Sequence, residues 1–163
     1  MLKQFCAAFF LTGLFFAPCS PCAHASLLED VTAQAELGDA EAQFNLGAMH
    51  YSGQEAPQDY SAACKWWEKA AEQGLSKAQF NLGYMYEEGL GVRQDYAAAL
   101  KWYGLAAKQG HARAQFNLGV LHHRGLGVKQ DVGAAREWYG KSCDSGNQRG
   151  CEEYRKLNEE KPQ

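Results

Sequence analysis

Two apolar patterns alternate along the chain from about residue 38 onward, and both keep the 3.6-residue period of an amphipathic helix. In Asp39 to Ser52, the residues Leu46, Gly47 and His50 fall within about 100° of one another on a helical wheel, flanked by Ala42, Phe44 and Met49. The counterparts Leu75 to Glu88 and His111 to Arg124 are equally free of proline, so all three predict a helix, here called type A. A second segment runs Asp59 to Gln73, with counterparts Asp95 to Gln109 and Asp131 to Ser145. It opens on an aspartate suited to helix capping, gathers Ala62, Ala63, Trp66, Trp67 and Ala70 on one side, and predicts a type B helix. Gly89-Leu90-Gly91-Val92 and Gly125-Leu126-Gly127-Val128 read as the turns between A and B, while the first pair carries Gly53-Gln54-Glu55-Ala56-Pro57 instead.

The pair is a repeat. Ala-Gln-Phe-Asn-Leu-Gly stands at Ala42 to Gly47, Ala78 to Gly83 and Ala114 to Gly119, each copy 36 residues after the last, and Gly38, Gly74, Gly110 and Gly146 keep the same step. Units of this length cannot bury an apolar face alone; they stack into an array whose usual role is to present a surface. The expectation is an all-α fold, an α/α superhelical solenoid of helix-turn-helix repeats over residues 38–73, 74–109 and 110–145. Ser26 to Leu37 matches only the second half of a unit and reads as an N-terminal capping helix over 26–37. Residues 146–163 match only the first half, with Glu152, Glu153 and Tyr154 where Phe, Asn and Leu recur elsewhere, as suits a terminal cap with a frayed Pro162-Gln163 tail. Gly47, Gly83 and Gly119 are expected to let helices approach closely, and Trp66, Trp102 and Trp138 to supply large buried surfaces.

Composition narrows the setting. The 163 residues carry a formal net charge of −3, and no basic stripe of the kind that follows a phosphate backbone is present, which argues against nucleic acid. Met1 to Ala25 reads as a cleaved export signal: Lys3, the apolar run Phe5 to Ala17, then Ala23-His24-Ala25 in the small-x-small pattern. The run falls short of the ~20 residues a spanning helix needs, so no stable membrane insertion is expected after cleavage. Lipid attachment at Cys19 or Cys22 is the weaker alternative, since Pro18 and Pro21 stand where that chemistry wants a small flexible residue. Of the cysteines that remain, Cys143 closes one predicted helix and Cys151 opens the next, so antiparallel packing brings them within disulfide reach. Cys64 is left as a small buried hydrophobe, with an intermolecular bridge or a reactive thiol as alternatives. A periplasmic or secreted location follows.

The pattern Ala-Glu-Ala-Gln-Phe-Asn-Leu-Gly-x-Met-x-x-x-Gly, followed by Gly-Val-x-Gln-Asp-Tyr-x-x-Ala-x-Lys-Trp-Tyr-x-x-Ala-Ala-x-Gln-Gly, is assembled from Ala40 to Gly53 and Gly91 to Gly110. It resembles the Sel-1-like repeat, a relative of the tetratricopeptide repeat, in three copies from Gly38 to Gly146. The resemblance implies A helices lining a concave face, and an adaptor or scaffold role toward other proteins. The chain departs from the family pattern at Glu55 to Pro57, which puts the first turn's geometry in doubt. It departs again at His50 and His122, where the family usually has Tyr; both are expected to pack as replacements. The Cys143 and Cys151 spacing is similar to the arrangement of the family's cysteine-rich secreted branch.

Positions 41, 45, 48 and 52 of helix A lie within about 60° of one another, opposite Gly47 and His50, and should face solvent. If that side is the concave one, Asn45, Asn81 and Asn117 form a ladder for the backbone of an extended peptide. Tyr84 then offers a flat anchor, and Lys77, Arg113 and Arg124 favour an acidic segment. Equally, the asparagines could bond neighbouring helices as part of the packing. His122-His123 lacks companions at metal-ligand spacing, so no metal and no cofactor are expected. Neither Ser-x-x-Lys, Gly-x-Ser-x-Gly nor His-Glu-x-x-His occurs, and no catalytic residue is assigned. An exported module binding a protein or peptide is the leading expectation. A β-lactam-type hydrolase of the cysteine-rich branch and a periplasmic regulator of a membrane sensor are the alternatives.

Overall fold

The structure is a computed structural model that describes residues 21–159. Among these residues the elements are eight helices: α1 (Pro21–Glu36), α2 (Ala40–Ser52), α3 (Tyr60–Glu72), α4 (Ser76–Glu88), α5 (Tyr96–Lys108), α6 (Ala112–Arg124), α7 (Val132–Asp144) and α8 (Gln148–Glu159). Their backbones approach closely between helices consecutive in the chain, the nearest-neighbour order of a solenoid. The A helices are α2, α4 and α6; the B helices are α3, α5 and α7. The expected leader, residues 1–25, lies outside the described residues up to residue 20. From there α1 begins on Pro21, in the first turn, where a missing N–H leaves no bond unmade.

Local chemistry sets the boundaries. Asp39, Asp59, Asp95 and Asp131 cap their helices, each carboxylate accepting from the backbone N–H three residues on, at 2.7, 3.0, 3.1 and 2.9 Å. His111 does the same for α6 through Nδ1, at 3.3 Å from the Ala114 N–H. Burial holds the His111 pKa below its ordinary value, with Arg113 adding to the effect, which keeps the ring neutral and able to accept. The first A-to-B turn departs in sequence but not in backbone. Glu55 takes φ 64°, matching Gly91 at 67° and Gly127 at 69°, and Ala56 is buried beneath it.

Within each pair, the bare backbone of the A helix receives a ring from the B helix. A Cβ at Gly47, Gly83 or Gly119 would stand 2.5, 2.6 and 2.5 Å from the rings of Trp67, Tyr103 and Tyr139. This corrects the sequence expectation for the large buried side chains. Trp102 is buried, but Trp66 and Trp138 are only partly so; the deeper residue is the following one, Trp67, Tyr103 and Tyr139, at 3%, 0% and 2% exposure. One residue turns a helix by about 100°, enough to exchange the ring that meets the glycine for one that lies beneath a lysine side chain. Lys69, Lys101 and Lys141 accordingly sit over Trp66, Trp102 and Trp138 at 4.0, 5.1 and 4.3 Å.

Between pairs the join is polar as well as apolar. Gln43, Gln79 and Gln115 are buried, and each Nε2 donates to a carbonyl of the preceding helix, Ala35, Ala71 and Ala107, at 3.1, 3.1 and 3.2 Å. Gln73 Nε2 donates both to Gly38 O and to Gln43 Oε1, and Gln109 repeats this on Gly74 O and Gln79 Oε1. The third unit has Ser145 in that place, and Gln115 Oε1 is left without a partner among the described residues. There Ser142 Oγ donates to Ala112 O at 2.8 Å instead. Across the α7–α8 turn, Cys143 and Cys151 stand at disulfide distance, with Cα atoms 4.5 Å apart. Cys64 is buried in α3, its thiol 3.6 Å from the Leu90 carbonyl in the turn of the next unit. Burial, with Glu68 nearby, pushes that thiol up to about 11, so it is protonated at neutral pH.

Two stability outcomes follow. Gly83→Ala should destabilise by about 2 kcal/mol, because the clash with the Tyr103 ring outweighs the gain in helix propensity. By contrast Gly104→Ala, in a helix with nothing within 4 Å of the new methyl, should stabilise by roughly 0.5–1 kcal/mol; chemical denaturation of both variants checks the pair, and equal effects would remove the notch. Closing the short Cys143–Cys151 loop is worth about 2.5 kcal/mol in the chain-entropy treatment. Reductant should therefore lower the melting temperature by about 5–10 °C, and should have no effect on a Cys143→Ser, Cys151→Ser double variant.

Candidate functional site

Stacking at a constant period brings equivalent positions of successive A helices into rows, and the solvent-facing row expected from the wheel stands open. None of residues 41, 45, 48 and 52, or their counterparts in α4 and α6, is buried. Side chains of neighbouring units meet along it: Lys77 pairs with Glu41 and lies 4.4 Å from the centre of the Phe44 ring. Three hollows follow one another on this face. The first, about 510 Å³, is largely apolar and lies among Tyr51, Trp67, Phe80, Asn81 and Tyr84. The second, also about 510 Å³, shares Phe80 and Tyr84 and adds Arg113, Asn117, Asn147 just before α8, and Gln148 and Arg149 of its first turn. The third, about 490 Å³, shares Phe116 with the second and is lined by His123, Arg124, Tyr139 and Glu153. A hollow of about 370 Å³ beside Trp66 on the outer surface of α3 is lined, among the described residues, by the α3 segment and its cap alone.

The residues singled out from the sequence are therefore divided. Tyr84 is the shared wall of the first two hollows, Asn81 belongs to the first, and Arg113 and Asn117 belong to the second. Arg124 lines the third. Asn45 is exposed and lines none of the three. Lys77 pairs with Glu41, so an incoming acid meets a locally balanced pair there rather than a single cation. The asparagines also differ among themselves, since Asn45 is exposed while Asn81 and Asn117 are partly buried. Cys143 and Cys151 lie in the α7–α8 join, apart from the hollows. Arg149 was not singled out beforehand, yet it sits one period beyond Arg113, and following the row 41, 77, 113 by one more step reaches it.

His50 and His122 are half-buried at the positions equivalent to Tyr86, each with a shielded Nδ1 that has no partner among the described residues. Among the same residues, no group of three or more His, Cys, Asp or Glu side chains is placed to hold a metal ion. One carboxylate is unusual. Glu87 Oε2 accepts from the Tyr103 hydroxyl at 2.6 Å, and burial raises the Glu87 pKa above the ordinary carboxylate value despite that bond. Burial and the same hydrogen bond raise the Tyr103 hydroxyl as well, so it stays protonated and donates. A raised carboxylate favours the folded state when protonated; that contribution is present at acid pH and is lost as pH rises from the ordinary carboxylate value through the folded one. Glu87→Gln keeps an acceptor for Tyr103 without the charge. Its melting temperature should exceed the wild type's at pH 7, with the advantage shrinking toward pH 4; a gap constant over that range would refute the assignment.

Comparison with known proteins closes the identification. The Sel1 repeat model matches residues 40–75, 76–111 and 112–147, two residues later in phase than the units read from the glycines. The secretory immunoglobulin A-binding protein EsiB of Escherichia coli O6:H1 is 40% identical over 69 residues, which are 42% of this chain and 14% of that protein. A crystal structure of a protective antigen present in uropathogenic E. coli strains, described as displaying an SLR fold, superposes with TM-score 0.73 at 42% identity, covering 76% of this chain and 26% of that one. A Sel1 repeat protein from Oxalobacter formigenes superposes with TM-score 0.74 at 29% identity, over 83% and 61% of the two chains. The chain thus spans about a seventh of the first of these proteins and about a quarter of the second. Such repeats are generally protein-interaction modules. With three repeats matched across most of its length and the same helical stacking in solved relatives, the chain belongs to the Sel1 repeat family.

Proposed function

We propose that this chain is an exported protein-interaction module, periplasmic or secreted, that holds a protein or peptide partner along the open face of α2, α4 and α6. The observation that carries this is the unbroken run of three hollows on that face, each sharing lining residues with the next. The walls are aromatic and amide side chains, suited to an extended segment: flat rings accept side chains of varied shape, and amides bond a passing backbone. Export is supported by the signal-like pattern of Met1 to Ala25 and by the Cys143–Cys151 pair, which needs an oxidising compartment to form. The relative named for binding secretory immunoglobulin A is one instance of this scaffold taking a protein partner.

A photo-crosslinking amino acid tests the face directly in cells that make the protein. Placed at Asn81, it should capture discrete protein adducts; placed at Lys101, on the outer side of α5, it should capture few or none. Adducts of equal abundance from both positions, or only from Lys101, would overturn the assignment.

A further inference from the structure

The row formed by residues 41, 77, 113 and 149 reads Glu, Lys, Arg, Arg, one member per unit and the last on the capping helix. Its first two members neutralise one another across the gap between units, Lys77 against Glu41. That contact shows that side chains in this row reach their neighbours one period away. The next two, Arg113 and Arg149, have the same sequence spacing and line the same hollow of about 510 Å³, but they carry like charges, and neither has a carboxylate partner among the described residues. Two arginines lining one hollow give it a positive character, and a carboxylate is the planar acceptor that guanidinium donor geometry fits. Nothing in the packing requires arginine at either place, since both are exposed.

We infer that Arg113 and Arg149 form a two-armed seat for a side-chain carboxylate of the bound partner, and that the adjoining hollow among Tyr51, Trp67, Phe80 and Tyr84 takes a large apolar side chain of the same segment. This rests on the open-face reading above and specifies what that face selects. The source of the carboxylate follows from position. The arginine hollow is the middle member of the run, continuing through Phe80 and Tyr84 on one side and through Phe116 on the other. A segment lying along the face passes through it, so an Asp or Glu side chain fits better than a chain terminus. The two hollows share Phe80 and Tyr84 as walls, and an extended chain advances ~3.3–3.6 Å per residue, so a few residues carry it from one to the other. The apolar and acidic residues are thus separated by two to four positions. The charge arrangement also sets direction along the array: the unit 1 end of the row is neutral and the capping-helix end is cationic.

Selection from a random twelve-residue peptide library on the purified full-length protein tests this, with affinities of the selected peptides measured by fluorescence anisotropy. Expected are peptides with Asp or Glu two to four positions from an aromatic or large aliphatic residue. Arg113→Ala and Arg149→Ala should each weaken their binding about tenfold at unchanged melting temperature, and the double Arg113→Glu, Arg149→Glu variant should select Lys or Arg at the acidic position. Amidation of the peptide C-terminus should change nothing. Selected peptides that lack an acid, or that bind the double Arg113→Ala, Arg149→Ala variant as tightly as wild type while Tyr84→Ala abolishes binding, would sink the seat and spare the face. Loss of binding on amidation would overturn the side-chain assignment in favour of a terminal carboxylate. Peptides indifferent to all of these substitutions, Tyr84→Ala included, would remove the face itself.

Discussion

Each unit is built on a ring resting against naked backbone. At Gly47, Gly83 and Gly119 the A helix has no side chain, and the space a Cβ would need is filled by Trp67, Tyr103 or Tyr139 of its B helix. Interiors packed to crystal-like density tolerate little variation in such a contact, so it holds the two helices of every pair at nearly the same distance and rotation. The inter-unit joins are equally repetitive. Gln79 and Gln115 reach back to the carbonyls of Ala71 and Ala107, and the turn at Gly91 lies against the backbone of Tyr60 and Ser61 so closely that a Cβ would fall 2.3 Å from the Tyr60 carbonyl carbon. Identical steps repeated along one axis produce aligned rows, and the open face is made of such rows. Its chemistry is therefore written one residue per 36.

Much of the fold was readable because the repeat states the same structure three times. The aspartate caps and the glycine terminators bound the helices to within a residue of the segments seen in the sequence. What periodicity could not resolve was which of two adjacent aromatic residues turns inward. Trp66 and Trp67 are equally apolar, and only the groove left by Gly47 favours the second. The buried glutamines escaped notice for a related reason. Gln43 and Gln79 read as solvent-facing residues in any scale of side-chain polarity, and their partners are backbone carbonyls eight residues away in a different helix, a pairing that no local pattern encodes.

The structure distributes the candidate site residues differently from the sequence pattern. The wheel put these positions on a face that is not buried, and it treated Lys77, Arg113 and Arg124 as one basic set. In three dimensions Lys77 is cancelled by Glu41, and Arg124 belongs to a different hollow. Arg149, from the capping helix where the sequence match to the repeat is weakest, lines the same hollow as Arg113. Charge partners lie in neighbouring units, so the electrostatic character of a position depends on its counterpart 36 residues away rather than on its own helix. Glu55 is the converse case: it looks like a break in the pattern, yet its backbone adopts the same left-handed turn as the glycines it replaces.

Cys64 carries a consequence for how the molecule is made. Its thiol is sealed by Leu90, which belongs to the unit synthesised next, and in the finished array that lid leaves Cys143 and Cys151 to find each other. Until the Leu90 carbonyl is in place, the Cys64 thiol is open to exchange with the other two. Docking of the second repeat on the first, which covers Cys64, would therefore shield the Cys143–Cys151 pairing from exchange wherever the chain meets an oxidant. A buried thiol, protonated and covered in the finished array, thus ties the fidelity of oxidation to the stacking of the repeats.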